Sequence, residues 1–246
     1  MALLATVPLT GTLINVAAVL VGTAIGVLVG HRLSERLRET VMDALGLVVI
    51  ALGIDGALAT FREPLSSFSR GSVLFVMGSV LVGGILGELL RIEDRLESAG
   101  EALKRRFGEG ETRFTEGFVV ASLVFCVGPL AILGSLQDGL TGDFELLAIK
   151  SLLDGFAALA FASALGIGVG FSVIVIVVYQ GAITIAASAV ADLFTEERVA
   201  ALTAAGGLLI IGIGLRLLDL KRVRVGNLLP SLVLAPLAVW VWQTLV

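Results

Sequence analysis

Apolar blocks of about twenty residues, almost free of charge, alternate along this chain with short charged or glycine-rich segments. A helix needs about 20 apolar residues to cross a hydrocarbon core of about 30 Å, so each block reads as a membrane span. Eight are predicted, over residues 8–30, 41–61, 71–90, 114–136, 145–167, 171–191, 200–218 and 228–246. The fold class expected is therefore all-α: a polytopic transmembrane helix bundle. One intervening segment, 91–113, is polar, but its apolar residues Ile92, Leu96, Leu103 and Phe107 recur at helical spacing. That pattern predicts an amphipathic helix serving as a solvated or interfacial connector, with a regulatory element as the alternative.

Composition sharpens the class. Hydrophobic residues make up 57% of the 246 positions and charged residues only 15%, against about 25% charged in a soluble domain. A soluble core could not hide these blocks. The net charge of −4 matters less than where the charges fall. Thirteen of the 17 Lys and Arg residues lie on the side of loops one–two, three–four and seven–eight, counting Arg216 with the last. Arg62, Arg70, Lys150 and Arg198 lie opposite. The positive-inside bias then places the basic loops in the cytoplasm of a bacterial inner-membrane protein and both termini outside. The first twelve residues lack the basic start of a signal peptide, so the first block is expected to be retained as a span. Sparse aromatics and the absence of a basic excess argue against a nucleic-acid partner, and the single cysteine excludes an internal disulfide.

The spans also align with one another. GSVLVGGILGELL from Gly78 matches GGLLIIGIGLRLL from Gly206 without a gap, and Ser122-Leu123-Val124 matches Ser231-Leu232-Val233. Asp55-Gly56 pairs with Gln180-Gly181, and Asn15 with Asp154. The order is kept throughout, which points to two parallel four-helix repeats, 1–138 and 139–246, with 91–113 as a connector.

Ionisable or strongly polar groups inside a span cost about 2.5–3.5 kcal/mol at the helix centre on insertion scales, so they are retained where they pair, meet water or do work. The candidates for a substrate or ion pathway are Asn15, Asp55, Cys126, Pro129, Gln137, Asp138, Lys150, Asp154 and Gln180. Asp55, with no obvious partner nearby in sequence, is the leading cation or proton site. Lys150 and Asp154, four apart on one helix face, could instead neutralise one another. Asn15 could be an interhelical clasp. Pro129 after Gly128 should disturb the fourth span, and Pro236 sits near the matching position of the eighth. Cys126 has no histidine or second cysteine beside it in sequence, so it is not read as a nucleophile or metal ligand. The spacings Gly22, Gly26, Gly30 and Gly83, Gly87 predict close helix packing or homo-oligomer contacts. The GxSxG and HExxH signatures are absent, and neither an enzyme nor a cofactor or metal centre is expected.

The segments GTLINVAAVLVGTAIG, FCVGPLAILGSLQDGLTGD, KSLLDGFAALAFA, GGLLIIGIGLRLL and LLPSLVLAP together resemble the YqgA/YdfK-like family of bacterial membrane proteins, a domain of unknown function. The resemblance covers nearly the whole chain. It implies a cytoplasmic-membrane protein with a suggested transport role and brings no substrate or catalytic residue with it. The function expected is a secondary transporter or channel-like permease for a small solute or ion. Its polar site would lie between the repeats, and its partners would be the lipid bilayer and that solute. The alternative is a non-transporting scaffold or signalling protein whose buried polar residues only fasten helices. An intramembrane enzyme using Asp55 and Asp154 as a carboxylate pair ranks third.

Overall fold

The computed structural model describes residues 9–68, 72–107 and 112–245, and every regular element among them is helical. The predicted span starts at Pro8 and Gly71, the end at Val246, Arg70, and positions 108–111 of the connector lie outside the described residues. The first helices are α1 (Thr10–Gly30), α2 (Glu35–Ala57), a single turn α3 (Leu65–Phe68), α4 (Ser72–Leu90) and the polar α5 (Ile92–Phe107). Then come α6 (Phe114–Cys126), α7 (Pro129–Thr141), α8 (Glu145–Leu165), α9 (Val173–Val190), α10 (Glu196–Leu217) and α11 (Ser231–Leu245).

Among the described residues, seven helices are long and apolar enough to cross a bilayer. Helix α2 begins at Glu35, earlier than the apolar pattern, because Ser34 Oγ accepts the Leu37 N–H at 3.4 Å and starts the helix in its charged segment. Hydropathy marks the bilayer edge, not the helix end. Many large side chains on these helices point away from the protein, Leu74, Leu81, Ile85 and Leu89 of α4 among them. In a hydrocarbon solvent that exposure costs nothing.

The predicted fourth span is two helices, α6 and α7, bent by 63°. Gly128 adopts φ +150°, a backbone region that glycine alone enters freely, and Pro129 opens α7 where its missing N–H is harmless. Whether this pair crosses or turns back is decided by its neighbours. Gly168, at the start of the segment leading into α9, packs on Phe114, and Gly139 packs on Thr184 and Ala187 near the end of α9. Along α8 the same pair meets Leu165 at Gly117 and Leu147 at Gly134. A re-entrant loop would bring both ends back to one end of these helices. These contacts support a single crossing by the bent pair, which brings the candidate spans among the described residues to eight. By contrast Pro236 lies inside α11, which continues through it, so the eighth span is not interrupted as the sequence suggested.

The chain forms two compact units. Unit one comprises the described parts of Met1–Asp43, Glu97–Cys126 and Leu130–Ala191; unit two comprises those of Ala44–Leu96, Val127–Pro129 and Asp192–Val246. Each draws helices from both of the halves expected to be repeats, so sequence similarity and packing divide the chain differently. In unit one α1 runs parallel to α8, with Gly11 on Leu147, Gly22 on Gly155 and Gly30 on Ser163. A methyl added at Gly22 or Gly26 would strike the carbonyl oxygens of Gly155 and Leu159. In unit two α2 runs antiparallel to α10 through Gly46, Gly53 and Gly56, and α4 antiparallel to α11 through Gly83 and Gly87. Both directions are those required by eight alternating crossings. The predicted glycine spacings thus serve close packing within the chain.

Candidate functional site

Unit one buries an unusual number of polar side chains at the end where α1 and α8 begin and α7 and α9 finish. The level is fixed by contacts: Gly11 and Gly134 both face Leu147, Gly181 faces Leu9, and Gly139 packs on Thr184. Each helix offers polar residues one turn apart, which places them on one face. Thr12 and Asn15 come from α1, Ser135 and Asp138 from α7, Lys150 and Asp154 from α8, Gln180 and Thr184 from α9. All eight are buried.

They divide into two groups. One is closed. Asp154 Oδ2 accepts the Asn15 Nδ2–H at 3.0 Å and also receives the ammonium of Lys150 one turn earlier. The Lys150–Asp154 pair and an interhelical hydrogen bond from Asn15 are thus both formed.

The other group is open. Asp138 Oδ2 accepts the Gly11 N–H at 3.2 Å, and the Leu9 amide also faces this carboxylate. Its other oxygen, Oδ1, is buried without a partner. So are Thr12 Oγ1, Asn15 Oδ1, Ser135 Oγ, Thr184 Oγ1 and both amide atoms of Gln180. More than about 90% of buried polar groups in native proteins are hydrogen-bonded, and the exceptions call for water, an ion or a ligand. So many in one layer point to an occupant.

The remaining sequence candidates lie elsewhere. Cys126 is the last residue of α6, half-buried with a free thiol, and Pro129 is the first of α7. The break between them leaves carbonyls at the end of α6 and N–H groups at the start of α7 without intrahelical partners. Gln137 donates from Nε2 to Asp143 at 2.6 Å, while Asp143 accepts at 3.0 Å the N–H of Glu145, the first residue of α8. Asp55 corrects the leading expectation. It belongs to unit two, its side chain is 69% exposed, and Arg62 seven residues later pairs with it at 2.8 Å. Helix α2 and its final turn, Glu35–Phe61, run 27 residues, about 40 Å at 1.5 Å per residue. A helix of that length exceeds a hydrocarbon core of about 30 Å, and Asp55 lies near its end.

Unit two has its own buried polar set, which sequence reading missed. Glu93, in the first turn of α5, is 3% exposed. Its carboxylate accepts Arg216 Nη1 at 2.8 Å and the Gly226 N–H at 2.6 Å, while its backbone N–H donates to Asn227 Oδ1 at 2.8 Å. Asn227 Nδ2 in turn donates to Glu88 at 2.7 Å, and Glu88 pairs with Arg224. Within a segment of evenly mixed charge, nothing singled out Glu93. Thr12, Ser135 and Thr184 were missed for a different reason: single hydroxyls in apolar helices look ordinary. The available signal was their spacing of three or four from Asn15, Asp138 and Gln180.

A family profile described as a protein of unknown function (DUF554) matches residues 10–240. The chain is similar to the uncharacterized membrane protein YdfK of Bacillus subtilis (strain 168), 30% identical over 94% of this chain and 96% of that one. It is also similar to the uncharacterized protein YqgA of Escherichia coli (strain K12), 32% identical over 92% and 94%. No solved structure matches.

Proposed function

The chain belongs to the DUF554 family of proteins of unknown function, and we propose that this multi-pass membrane protein is a secondary transporter or channel-like permease for a small solute or ion. The observation that carries the reading is the layer of buried, partnerless polar atoms in unit one, beside a span broken at Gly128-Pro129. Polar groups at membrane depth are costly unless they meet a partner, water or a passing solute. A broken span adds free backbone groups, a device by which transporters build sites near the bilayer middle. The positive-inside bias puts the basic loops in the cytoplasm of a bacterial inner membrane and the polar layer toward the outer face. Asp138, Gln180, Thr12, Ser135 and Thr184 would contact the solute, and the Asn15–Asp154–Lys150 group would hold α1 on α8 beneath it. A transport role, with no catalytic residue assigned, accounts for this layout.

The test is uptake and efflux by purified protein in proteoliposomes, over a panel of inorganic ions and amino acids. Saturable flux that falls at least tenfold in Gln180→Leu, with the variant still folded, supports the reading. Absence of flux for every solute in the panel would sink it. A scaffold role draws support from one feature, the closed Asn15–Asp154–Lys150 group. On that reading Asp154→Asn unfolds the protein and the parent carries no flux.

A further inference from the structure

Within the layer read above as the solute path, the two groups differ in charge as well as in hydrogen bonding. Lys150 and Asp154 carry opposite charges and face each other, so their group is neutral. Among the described residues Asp138 forms no ion pair: its carboxylate accepts the Gly11 N–H in the first turn of α1. A helix N-terminus supplies about half a positive charge. In its ionised form the carboxylate, 1% exposed, would therefore leave an excess of negative charge inside a span, and its Oδ1 has no hydrogen-bond partner among the described residues.

The same layer holds other buried oxygen atoms that lack partners: Thr12 Oγ1, Asn15 Oδ1, Ser135 Oγ, Gln180 Oε1 and Thr184 Oγ1. They come from three helices brought together by the Gly11–Asp138 hydrogen bond, the approach of Gly181 to Leu9 and the packing of Gly139 on Thr184. We propose that this layer is a binding site for one alkali-metal cation, held by Asp138 Oδ1 and the partnerless hydroxyl and amide oxygens of Thr12, Ser135, Gln180 and Thr184. Hard, weakly hydrated cations are bound by oxygen ligands, whereas transition metals seek imidazole or thiolate. No cluster of three or more His, Cys, Asp or Glu side chains suited to a metal ion occurs among the described residues. The charge count selects valence: one carboxylate balances one monovalent ion, while a divalent ion would leave a surplus positive charge at membrane depth. Asn15 touches both groups, its Nδ2 on Asp154 and its Oδ1 open. Occupation of the site would thus be sensed at the α1–α8 pair.

The inference rests on the permease reading for its purpose but not for its test, which is binding rather than flux. Full-length protein in nanodiscs is titrated with radioactive sodium or rubidium (as a potassium substitute) in a scintillation-proximity assay, with choline and calcium as competitors. The expected result is saturable binding of one ion per chain that excess choline leaves in place. Asp138→Asn still accepts the Gly11 N–H, so it keeps the α1 cap while removing the charge. It should weaken binding about 100-fold, the scale on which a buried charge loses its partner. Thr184→Val, which keeps shape and loses one oxygen, should weaken it about tenfold and carries the test should Asp138→Asn fail to fold. Absence of saturable monovalent binding by the parent overturns the inference, as a protonated, neutral Asp138 would. So does unchanged binding in Thr184→Val, or displacement by calcium at lower concentration than by sodium. Flux without cation binding would overturn the site and leave the permease. Binding without any flux would do the reverse.

Discussion

Unit one and unit two each bury charged side chains, yet they treat them differently. In unit two the Glu93 carboxylate has a guanidinium on one oxygen and a backbone N–H on the other, and Asn227 uses both ends of its amide. In unit one Asp138 uses one oxygen, Asn15 half of its amide, and Gln180 neither end. Burial is similar in the two places, so depth does not explain the difference. Completeness does: a network in which the Glu93 carboxylate and the Asn227 amide are fully engaged fastens α5 to α10 and the segment before α11, whereas one with atoms left over suits the proposed solute site. Polar burial in a membrane protein thus carries no single meaning until its partners are counted.

That contrast can be broken by substitution. The largest effect is expected at Glu93→Ala, which takes a buried carboxylate away from both Arg216 Nη1 and the Gly226 N–H. Removing one partner of a buried pair costs about 3–5 kcal/mol, so a drop in thermal unfolding temperature in detergent or loss of a monodisperse peak should follow. Cation binding per folded molecule should not change. Next comes Gly22→Val, whose side chain meets the Gly155 carbonyl. Overpacking of this kind costs about 1–3 kcal/mol, read in the same unfolding assay, and Gly155 has no side chain that could move aside. Gln180→Leu sharpens the comparison from the other side. Because neither amide atom is bonded, replacing it with an apolar group of similar size should leave stability unchanged or raise it by about 1 kcal/mol, while flux falls. A loss of stability there would show that the amide is fully partnered. The smallest effect is expected for Asp55→Asn. The pair with Arg62 is exposed, and exposed pairs are worth about 0–1 kcal/mol, so unfolding temperature and flux should both stay near the parent values.

Much of the fold was legible in the sequence because hydropathy reports the solvent directly. Apolar blocks with polar breaks predicted the crossings, Gly128-Pro129 predicted the broken one, and Gly22, Gly26 and Gly30 predicted a close helix pair. The partner of that pair, α8, was not legible, since glycine spacing says that a helix is approached without saying by which. The site was legible only in part. Asn15, Asp138, Lys150, Asp154 and Gln180 stand out in apolar surroundings and do gather in unit one. Asp55 stood out equally but belongs to unit two, where sequence distance hid its exposed ion pair with Arg62. Glu93 was hidden by its charged neighbours. Pro236 was over-read: a proline can be carried inside a membrane helix, and α11 carries it.

The distinction between a closed and an open polar layer can be seen directly. A high-resolution cryo-EM map of the full-length protein in nanodiscs, recorded in sodium, would show the space between Asp138, Thr12, Ser135, Gln180 and Thr184. The account predicts a discrete density there within coordination distance of Asp138 Oδ1, absent in a map of Asp138→Asn. A map in which these side chains hydrogen-bond one another, with nothing between them, would contradict it.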